Sequence, residues 1–385
     1  MTAAPPRALP DRARFPILGR RSYLNSAAKG ALCVAVRDAA LDSLDQWDHE
    51  GAPWDVWLGE IERTREQFAA LVGAHPEQVF VTGSVSAAFT ALLAGLDYRD
   101  RSDLLLVEGD FPTLGDAALA ARRLGAEPRF LCLTDPASAT GTIVAGLRPS
   151  TRAVVVSAVH HAGAFTLDLP VLARACRAQG VLCLVDGYHG LGATALDVRA
   201  APVDALVSGS MKYLLGSAGG YALTYCGPRL LAHAAPIPHG WLGAVDPFAG
   251  HRGAVPRHAG ARRYDAGLPS ILAAACARAG LDEVLSWDRV ATVDRIRGLV
   301  EHCAARLVED VLIDPSELRT AGPLVCVRQS DPAAASELVR RLAAGGVVTG
   351  SWQEWLRISW HAYNSAADAD ALFAALPRAL PRRLR

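Results

Sequence analysis

The sequence predicts an α/β protein: a large domain with a mostly parallel, seven-stranded sheet flanked by helices, followed by a smaller α+β domain. The first observation is a series of short apolar runs that are continuous instead of alternating, as expected for strands buried on both faces of a sheet. Helix-like segments separate these runs, which favours parallel strands. The chain has 385 residues, more than the ~250–300 residues that one core accommodates, so a second domain is expected.

The predicted elements of the large domain alternate from residue 78 onward. The strands cover residues 78–82, 104–107, 129–132, 153–157, 181–185, 205–207 and 221–224. The intervening helices cover residues 84–96, 114–124 and 170–179. Because binding sites in such sheets form outside the carboxyl ends of the strands, the residues that follow each strand are the first candidates for chemistry.

The remaining segments divide the chain into domains. Residues 1–20 are rich in proline and arginine and are predicted to be an N-terminal arm, followed by the large domain over 21–268 and the small domain over 269–385. Residues 236–268 are rich in glycine, proline and histidine and are predicted to form a functional loop region. The predicted small-domain elements are helices 269–285, 289–308, 332–344 and 366–376 and strands 324–328 and 356–359.

The composition narrows the class of protein. Lysine plus arginine equals aspartate plus glutamate at 39 each, which gives no electrostatic basis for binding nucleic acid or an anionic membrane. The eight cysteines show no metal-ligand spacing, so no metal site is predicted and buried thiols in a reducing compartment are expected. No apolar run reaches membrane-spanning length, and the N-terminus lacks the apolar core of a signal peptide, so we predict a soluble, cytoplasmic protein.

Lys212 is one of only two lysines, while 37 of the 39 basic residues are arginine. A lysine amine can lose its proton when desolvated and attack a carbonyl, which a guanidinium cannot do. Lys212 follows an apolar strand and small residues, where a Schiff-base lysine is expected. A surface lysine left over from a biased composition is the alternative.

Three further segments follow strands or lie on them. Thr82-Gly83-Ser84-Val85-Ser86 leads from a strand into a helix and suits a phosphate, or is simply a helix capped by Ser84. Asp186 ends a buried strand and suits a cationic partner such as a protonated pyridine nitrogen, or caps the next turn. His189 is three residues further on, and a structural histidine is its alternative role.

Arg357 lies on a predicted strand between apolar residues. A buried guanidinium requires an anion, for which a carboxylate is the natural bidentate partner; a structural ion pair is the alternative. Pyridoxal phosphate and an amino acid together require four groups: an amine, a carboxylate for the pyridine nitrogen, a set of groups that binds the phosphate, and a cation that binds the substrate carboxylate. The four segments could supply these groups.

With these segments, residues 23–373 resemble the class V aminotransferase family, which includes kynureninases, cysteine desulfurases and isopenicillin N epimerase-like proteins. The resemblance implies an aspartate aminotransferase-like, fold type I architecture. Asp186-Gly187-Tyr188-His189 is similar to the family's D-x-x-H/Q segment, which implies Asp186 on the pyridine nitrogen and His189 near the phenolic oxygen or the substrate. Ser210-Met211-Lys212 is similar to the family's lysine motif and implies that Lys212 and Ser210 belong to the cofactor site.

The resemblance also implies how the phosphate and the ring are held. Val85 and Ser86 fall where the family binds phosphate, and Phe111-Pro112-Thr113 is similar to a segment whose aromatic residue stacks on the ring. Gly240-Trp241-Leu242-Gly243 is similar to a stretch whose tryptophan reaches the phosphate site across a dimer interface. A homodimer with shared active sites is therefore expected.

The substrate end of the site follows from two more motifs. Arg357-Ile358-Ser359 with Tyr363-Asn364 is similar to the family's R-x-S…Y-N signature and implies Arg357 on the substrate α-carboxylate. The N-terminal loop from Tyr23 to Gly30 resembles a loop that folds over the active site, so residues 21–45 are expected to pack with the small domain and the site. Asn25 and Lys29 then become candidate substrate-binding residues, although Lys29 as a surface lysine is the alternative.

The kynureninase-like residues Phe111, His189 and Trp241 favour a lyase or hydrolase that cleaves a C–S or C–C bond at Cβ of an amino acid through an external aldimine. Lys212 takes the α-proton, and His189 or His161, which stands where the family has a T-G segment, acts as the acid. The absence of cysteine from residues 345–355 argues against desulfurase chemistry.

Two other classes stay open. An aminotransferase or epimerase can use the same scaffold. A non-catalytic homologue is suggested by two departures from the family, Met211 before the lysine and Leu268 in place of a hydroxyl residue.

Overall fold

The computed structural model describes residues 9–133, 135–236, 240–249, 253 and 255–376. Residues 1–8 of the predicted arm and residues 377–385 of the predicted small domain lie outside this part. The described strands are β1 (Ser22–Tyr23), β2 (Val79–Thr82), β3 (Asp103–Val107), β4 (Glu127–Leu131), β5 (Thr151–Ser157), β6 (Leu182–Asp186), β7 (Ala205–Gly209), β8 (Ala222–Cys226), β9 (Leu318–Ala321), β10 (Leu324–Arg328), β11 (Val347–Val348), β12 (Gly350–Trp352) and β13 (Trp355–Ser359).

The described helices alternate with the strands of the large sheet and then cluster toward the carboxyl end of the chain. They are α1 (Val34–Glu50), α2 (Trp54–Val72), α3 (Val85–Ala94), α4 (Pro112–Ala121), α5 (Ala139–Ala145), α6 (Leu169–Ala178), α7 (Pro228–His233), α8 (Ile271–Leu285), α9 (Arg289–Glu309), α10 (Pro332–Ala344) and α11 (Ala366–Ala375). Within these residues no helix is both long enough and apolar enough to cross a membrane.

The large sheet has seven strands in the order β2-β8-β7-β6-β5-β3-β4. Strands β4, β3, β5, β6 and β7 pair in parallel, and only the pairs that involve β8 are antiparallel. Strands β3, β6, β7 and β8 are buried along their whole length, so their side chains are apolar in continuous runs. The predicted mostly parallel, seven-stranded α/β architecture is confirmed.

A second, antiparallel sheet has the order β12-β13-β10-β9 and carries Arg357 on β13 opposite Cys326 on β10. The N-terminal segment joins this sheet region, because β1 pairs in parallel with β11 and Asn25 forms an isolated bridge with Ser359. Residues close to the start of the chain therefore reach the strand that carries Arg357.

Helices α1 and α2 were not predicted, and both pack against α8. Helix α1 buries only Val36 and Ala39, so its apolar positions do not form a clear stripe of period 3.6 in the sequence. The short strands β9, β11 and β12 also escaped prediction, because two to four residues are too few to show a period.

The cysteine prediction needs one correction. Seven of the eight cysteines are buried free thiols, but Cys132 is exposed. It follows β4, which lies at the edge of the large sheet and is covered less than the central strands.

Candidate active site

Lys212 lies in the loop that follows β7, with its side chain buried. Its Nζ is 2.9 Å from Nε2 of His189 and 4.2 Å from the centre of the Tyr188 ring. Burial lowers the pKa of Lys212 to about 7; the Asp186 carboxylate opposes this shift and the Arg357 charge adds to it. A large fraction of the amine is therefore neutral near pH 7, which a nucleophilic lysine requires.

The backbone around Lys212 depends on a close approach by Gly30. A Cβ at Gly30 would lie 2.3 Å from the carbonyl oxygen of Lys212, and the Gly30 N–H donates to Met211 O at 2.9 Å. Leu215 has a φ of 58°, in the left-handed region that non-glycine residues rarely occupy. Strain of this kind persists where surrounding contacts hold it, as they do here next to the reactive amine.

Asp186 is the last residue of β6 and is 5% exposed. Its Oδ1 accepts the N–H of Tyr188 at 2.8 Å, so it does cap the following turn. Burial raises the pKa of Asp186 to about 6, while this hydrogen bond and the Lys212 charge lower it. Asp186 also lines the cavity around Lys212, so the carboxylate has both a structural contact and access to a cationic ligand.

His189 contacts two groups through the same nitrogen. Nε2 lies 2.9 Å from Lys212 Nζ and 3.2 Å from the carbonyl oxygen of Ala27. Burial lowers the pKa of His189 well below its ordinary value, and the nearby Lys212 and Arg357 charges lower it further. The imidazole is therefore neutral at pH 7 and lies within proton-transfer distance of the amine.

The N-terminus of α3 forms another wall of the same cavity. Ser84 caps the helix by accepting the N–H of Ala87 at 3.0 Å, which confirms the alternative role considered for it. The N–H groups of Val85 and Ser86 still belong to the first turn, which has no intrahelical acceptors. Ser86 Oγ lies 2.9 Å from Thr113 Oγ1, so hydroxyls and amides together suit an anion.

The cavity has a volume of about 210 Å³. Seven residues predicted from sequence meet on its walls: Val85, Ser86, Phe111, Thr113, Asp186, His189 and Lys212. Tyr188, Gly219 and Gly220 also line it and were not predicted. Tyr188 lies inside the quoted Asp186–His189 segment, and the pair of glycines that begins seven residues after Lys212 is a loop signal that could have been followed.

Arg357 lies on β13, and its charge acts on both Lys212 and His189. Its Nη1 donates to the carbonyl oxygen of His161 at 2.9 Å, and its buried Nε has no hydrogen-bond partner. Among the residues that the structure describes, no carboxylate lies within ion-pair distance of it, so the structural ion pair is not found there. The buried oxygen Oδ1 of Asn25 also lacks a partner.

Gly350 shows that Asn25 and Arg357 are neighbours. A Cβ on Gly350 would lie 2.6 Å from Asn25 Oδ1 and 3.8 Å from Arg357 Nη2. Burial lowers the pKa of Arg357 below its ordinary value, yet a guanidinium stays charged at any relevant pH. A buried cation whose Nε has no partner is suited to receive a small anion, whereas Asn25 Oδ1 beside it is an acceptor.

His161 lies between aromatic side chains. Its ring centroid is 5.5 Å from that of Phe111 and 4.7 Å from that of Trp352, and neither of its buried nitrogens has a partner. Burial, together with the charges of His160, Arg357 and Lys212, lowers the pKa of His161 to about 3. His161 is therefore a neutral imidazole at pH 7.

His161 also belongs to the one cluster of the described chain, with Asp110 and His160, in which three ligand-type atoms lie close enough to hold a metal ion. His160 is already bonded through both nitrogens: Nδ1 accepts the N–H groups of Ala162 and Ala164, and Nε2 contacts Gly109 O. The side chain of Asp110 accepts the N–H and the hydroxyl of Ser157. Protein hydrogen bonds therefore account for Asp110 and His160, whereas both nitrogens of His161 lack a partner.

Besides Asn25, His161 and Arg357, three further predicted residues are not on the cavity walls. Ser210 Oγ is buried without a partner beside Gly216. Lys29 donates to the carbonyl oxygens of Gly216 and Ser217. Trp241 is 38% exposed and packs edge-on against Trp54. The functional roles expected for these three residues remain predictions.

Comparison with known proteins connects this geometry to a family. The family model described as Aminotransferase class-V matches residues 23–372. An uncharacterized aminotransferase, YcbU, from Bacillus subtilis is 27% identical over 94% of this chain and 95% of its own. A kynureninase from Deinococcus radiodurans is 29% identical over 70% and 67%, and an isopenicillin N epimerase from Streptomyces clavuligerus is 28% identical over 84% and 86%.

Two solved structures share the fold at low identity. A C-DES mutant with glycine covalently linked to its pyridoxal phosphate cofactor superposes with a TM-score of 0.85 at 20% identity, covering 95% of this chain and 98% of that one. A complex of the cystine C–S lyase C-DES with its product cysteine persulfide gives a TM-score of 0.83 at 20% identity, covering 94% and 98%.

Proposed function

This chain belongs to the aminotransferase class V family, and from that membership we propose that it is a pyridoxal phosphate-dependent lyase or hydrolase that cleaves a C–S or C–C bond at Cβ of an amino acid. One observation carries the proposal most directly. Lys212, with its pKa lowered to about 7, lies 2.9 Å from the neutral imidazole of His189 in the cavity that Asp186 also lines. That arrangement combines a nucleophilic amine, a second proton carrier and a carboxylate in one enclosed space.

The residues of the cavity fit the cofactor. The first turn of α3 with Ser86 and Thr113 would hold the phosphate, Asp186 the pyridine nitrogen, and Phe111 and Tyr188 would flank the ring. When bound, pyridoxal phosphate supplies an aldehyde that condenses with amines and a ring that withdraws electrons from the substrate α-carbon. The lowered pKa of Lys212 supplies the matching amine.

The residues around the cavity then have separate roles in binding the substrate and moving its protons. Arg357 holds the α-carboxylate, because its buried Nε has no partner. Asn25 lies beside it and can bind the carboxylate only through its amide NH₂ group, since its unpartnered Oδ1 is an acceptor. The amine of Lys212 takes the α-proton. His189, neutral and 2.9 Å away, relays a proton toward the leaving group. His161 is the second candidate for this role, but its pKa, lowered to about 3, leaves it without a second proton at pH 7, so His189, which contacts Lys212, is preferred.

The relatives support two candidate reactions. A kynureninase among them supports the lyase or hydrolase. The aminotransferase and the isopenicillin N epimerase support transamination or epimerisation as the second candidate. Persulfide chemistry at Cys326 is not part of the proposal, because that thiol is buried on β10 and burial raises its pKa to about 12.

One incubation separates these reactions. Purified enzyme with pyridoxal phosphate is mixed in D₂O with amino acids that carry a leaving group on Cβ, with and without a 2-oxo acid. Release of the side-chain fragment supports the lyase or hydrolase. Amino transfer to the 2-oxo acid supports the transferase, and deuterium at Cα without cleavage supports the epimerase. A protein that binds no cofactor would instead be a non-catalytic homologue.

Asp186→Asn is expected to reduce turnover by about 10- to 100-fold, the scale of one lost hydrogen bond between charged groups. The amide keeps the shape and can still accept the Tyr188 N–H, but it cannot hold a pyridine nitrogen in its protonated form. Cofactor binding and turnover are measured together. Wild-type turnover in a folded Asp186→Asn enzyme would contradict the role assigned to the carboxylate.

We also propose a homodimer with shared active sites, formed through an aromatic patch of Trp54, Trp241 and Phe248. Their ring centroids lie 5.4–6.1 Å apart, and Phe248 is 60% exposed. Exposed aromatic residues in one cluster are characteristic of protein interfaces. Trp241 on this patch is not among the residues that line the cavity of its own protomer, which is consistent with a contribution to the site of a neighbouring one.

Phe248→Arg is expected to shift the protein toward monomers, because a buried unpaired guanidinium is strongly disfavoured at an interface. Sedimentation velocity measures the change. Val290→Arg is the matched control, since Val290 is 70% exposed at the start of α9. A Phe248→Arg protein that sediments as the wild-type dimer would place the interface elsewhere.

A cytoplasmic location is part of the same proposal. It is supported by eight cysteines that are all free thiols, a pattern expected in a reducing compartment.

A further inference from the structure

Lys29, the second of the two lysines, is bound to the loop that follows Lys212. Its Nζ donates to Gly216 O at 2.8 Å and to Ser217 O at 2.5 Å. Burial lowers the pKa of Lys29 to about 8, so the side chain is still mainly an ammonium at pH 7. The ionisable group that faces it is the thiol of Cys276 on α8, whose own pKa is raised by burial. The Lys29 ammonium therefore has two backbone carbonyl oxygens as its hydrogen-bond acceptors.

The loop that Lys29 contacts, residues 216–220, has two further hydrogen bonds: Gly216 N–H donates to Ser210 O at 2.7 Å, and Ser217 Oγ donates to Gly219 O within the loop at 2.5 Å. Gly219 and Gly220 line the cavity around Lys212, and their φ values of 149° and 78° are accessible mainly to glycine. Leu215 just before the loop has a φ of 58°. A loop with two glycines, preceded by a residue of strained backbone, loses much conformational entropy when it becomes ordered. Hydrogen bonds at its first residues, such as those from Lys29, help to offset that cost.

The segment that carries Lys29 contacts three other parts of the site. Asn25 lies beside Arg357, the carbonyl of Ala27 contacts His189, and the Gly30 N–H donates to Met211 O. The hydroxyl of Tyr23 donates to the backbone oxygen of Lys29 at 2.7 Å and fixes the segment itself. The backbone from which the Lys29 side chain extends is therefore held in place by its own contacts.

From these contacts we propose that Lys29 is a positioning residue: its ammonium anchors loop 216–220 and thereby keeps Lys212 enclosed and poorly hydrated. This inference rests on the proposed function only in taking Lys212 as the reactive amine; the anchor itself does not depend on a cofactor. It assigns Lys29 to the loop and not to the substrate. A compact ammonium with rotatable donors suits two closely spaced carbonyls better than the planar fork of arginine.

The test compares Lys29→Met, which keeps the length without the charge, with Lys29→Arg, which keeps the charge. Arg37→Met on the exposed face of α1 is the control, since its ion pair is local to Asp38. Hydrogen–deuterium exchange is followed for peptides covering residues 213–220, with and without pyridoxal phosphate. We expect exchange about tenfold faster in Lys29→Met, the scale of one lost hydrogen bond to a charged group, with partial rescue in Lys29→Arg.

A second measurement follows Lys212 itself. The pH dependence of acetic anhydride labelling at Lys212 is read by mass spectrometry in cofactor-free protein. Water admitted by a loosened loop should raise the pKa of Lys212 in Lys29→Met by about one unit, because burial is the main cause of its lowering. A purely structural residue would not move this pKa in a protein that keeps its fold.

Unchanged exchange and an unchanged Lys212 titration in Lys29→Met would overturn the proposal. A raised KM with exchange unchanged would also overturn it and assign Lys29 to the substrate. If Lys29→Met fails to fold, Lys29→Gln, which retains amide donors for one carbonyl, takes its place under the same criteria. Because neither measurement needs turnover or cofactor, failure of the proposed reaction would leave this result readable.

Discussion

Replacing Lys212 with alanine is expected to abolish turnover together with the visible absorbance of the lysine–cofactor linkage. The alanine removes the amine whose pKa burial lowers to about 7, and with it both covalent attachment and the base beside the α-carbon. A positioned base alone is worth about 10²–10⁴-fold in rate. Absorbance spectra and turnover with the amino acid identified by the incubation in D₂O measure both losses.

Lys29→Arg is the matched control, because it changes the only other lysine and should retain the visible absorbance. Retention of both absorbance and turnover in Lys212→Ala would remove the basis of the proposed function. Cofactor absorbance that persists after both lysines are replaced would show that the protein binds pyridoxal phosphate without a Schiff base.

The same substitution should change how stability depends on pH. The unfolded chain binds a proton at Lys212 up to its ordinary pKa of 10.5, whereas the folded chain releases it near pH 7. The unfolded state therefore binds more protons between these values, and the free energy of unfolding of the cofactor-free protein should rise with pH across that window. Relative to wild type, Lys212→Ala should lose this rise, which denaturant titrations at several pH values will detect.

Replacing Arg357 with methionine is expected to weaken amino acid binding by about 10²–10³-fold, the range for truncating one member of a buried charge pair at about 2–5 kcal/mol. Arg357 is 8% exposed and its Nε has no partner, so the proposed α-carboxylate of the substrate would supply the partner that it lacks. Cofactor absorbance should stay as in wild type, because Arg357 is not a wall of the cofactor cavity. Binding is measured by titrating the cofactor spectrum with amino acids.

A comparison of amino acids with the matching amines tests whether Arg357 binds the carboxylate. Wild-type protein should prefer an amino acid over the matching amine without a carboxylate, and Arg357→Met should lose most of that preference. Arg319→Met is the control, since Arg319 lies on the same small sheet and packs over the Trp355 ring at 4.0 Å. If Arg357→Met discriminates as well as wild type, another group holds the carboxylate. Arg357→Lys is not expected to rescue binding, because a point charge cannot form the bidentate contact.

The helices and strands that the sequence predicted well are those in which buried positions recur in a regular pattern along the chain. Strand β10 and helix α10 were predicted with the bounds observed in the structure, Leu324–Arg328 and Pro332–Ala344, because a buried strand and an amphipathic helix leave local patterns. Helix α1 left no such pattern. Its packing against α8 is a contact between segments more than 200 residues apart, and its exposed face carries apolar residues such as Trp47.

The residues of the candidate site likewise include some that the sequence could identify and some that it could not. Lys212 and Asp186 could be selected from sequence because each follows a continuous apolar strand, and parallel strands bring their carboxyl ends to one edge of the sheet. Tyr188 was passed over although its ring lies 4.2 Å from Lys212 Nζ. Its neighbours Asp186 and His189 carry more obvious chemistry, and the direction of a side chain in a turn is not a property of the sequence pattern.

By itself the sequence determined the fold class, the family motifs and the amine, carboxylate and guanidinium on which the proposed chemistry depends. Only the tertiary structure decided that Arg357 has no carboxylate within ion-pair distance in the described chain and that Lys29 binds carbonyls of the loop after Lys212. The physical reason is that local patterns record burial and periodicity, whereas the partner of a buried charge is set by segments that meet only when the sheets and the N-terminal segment pack together.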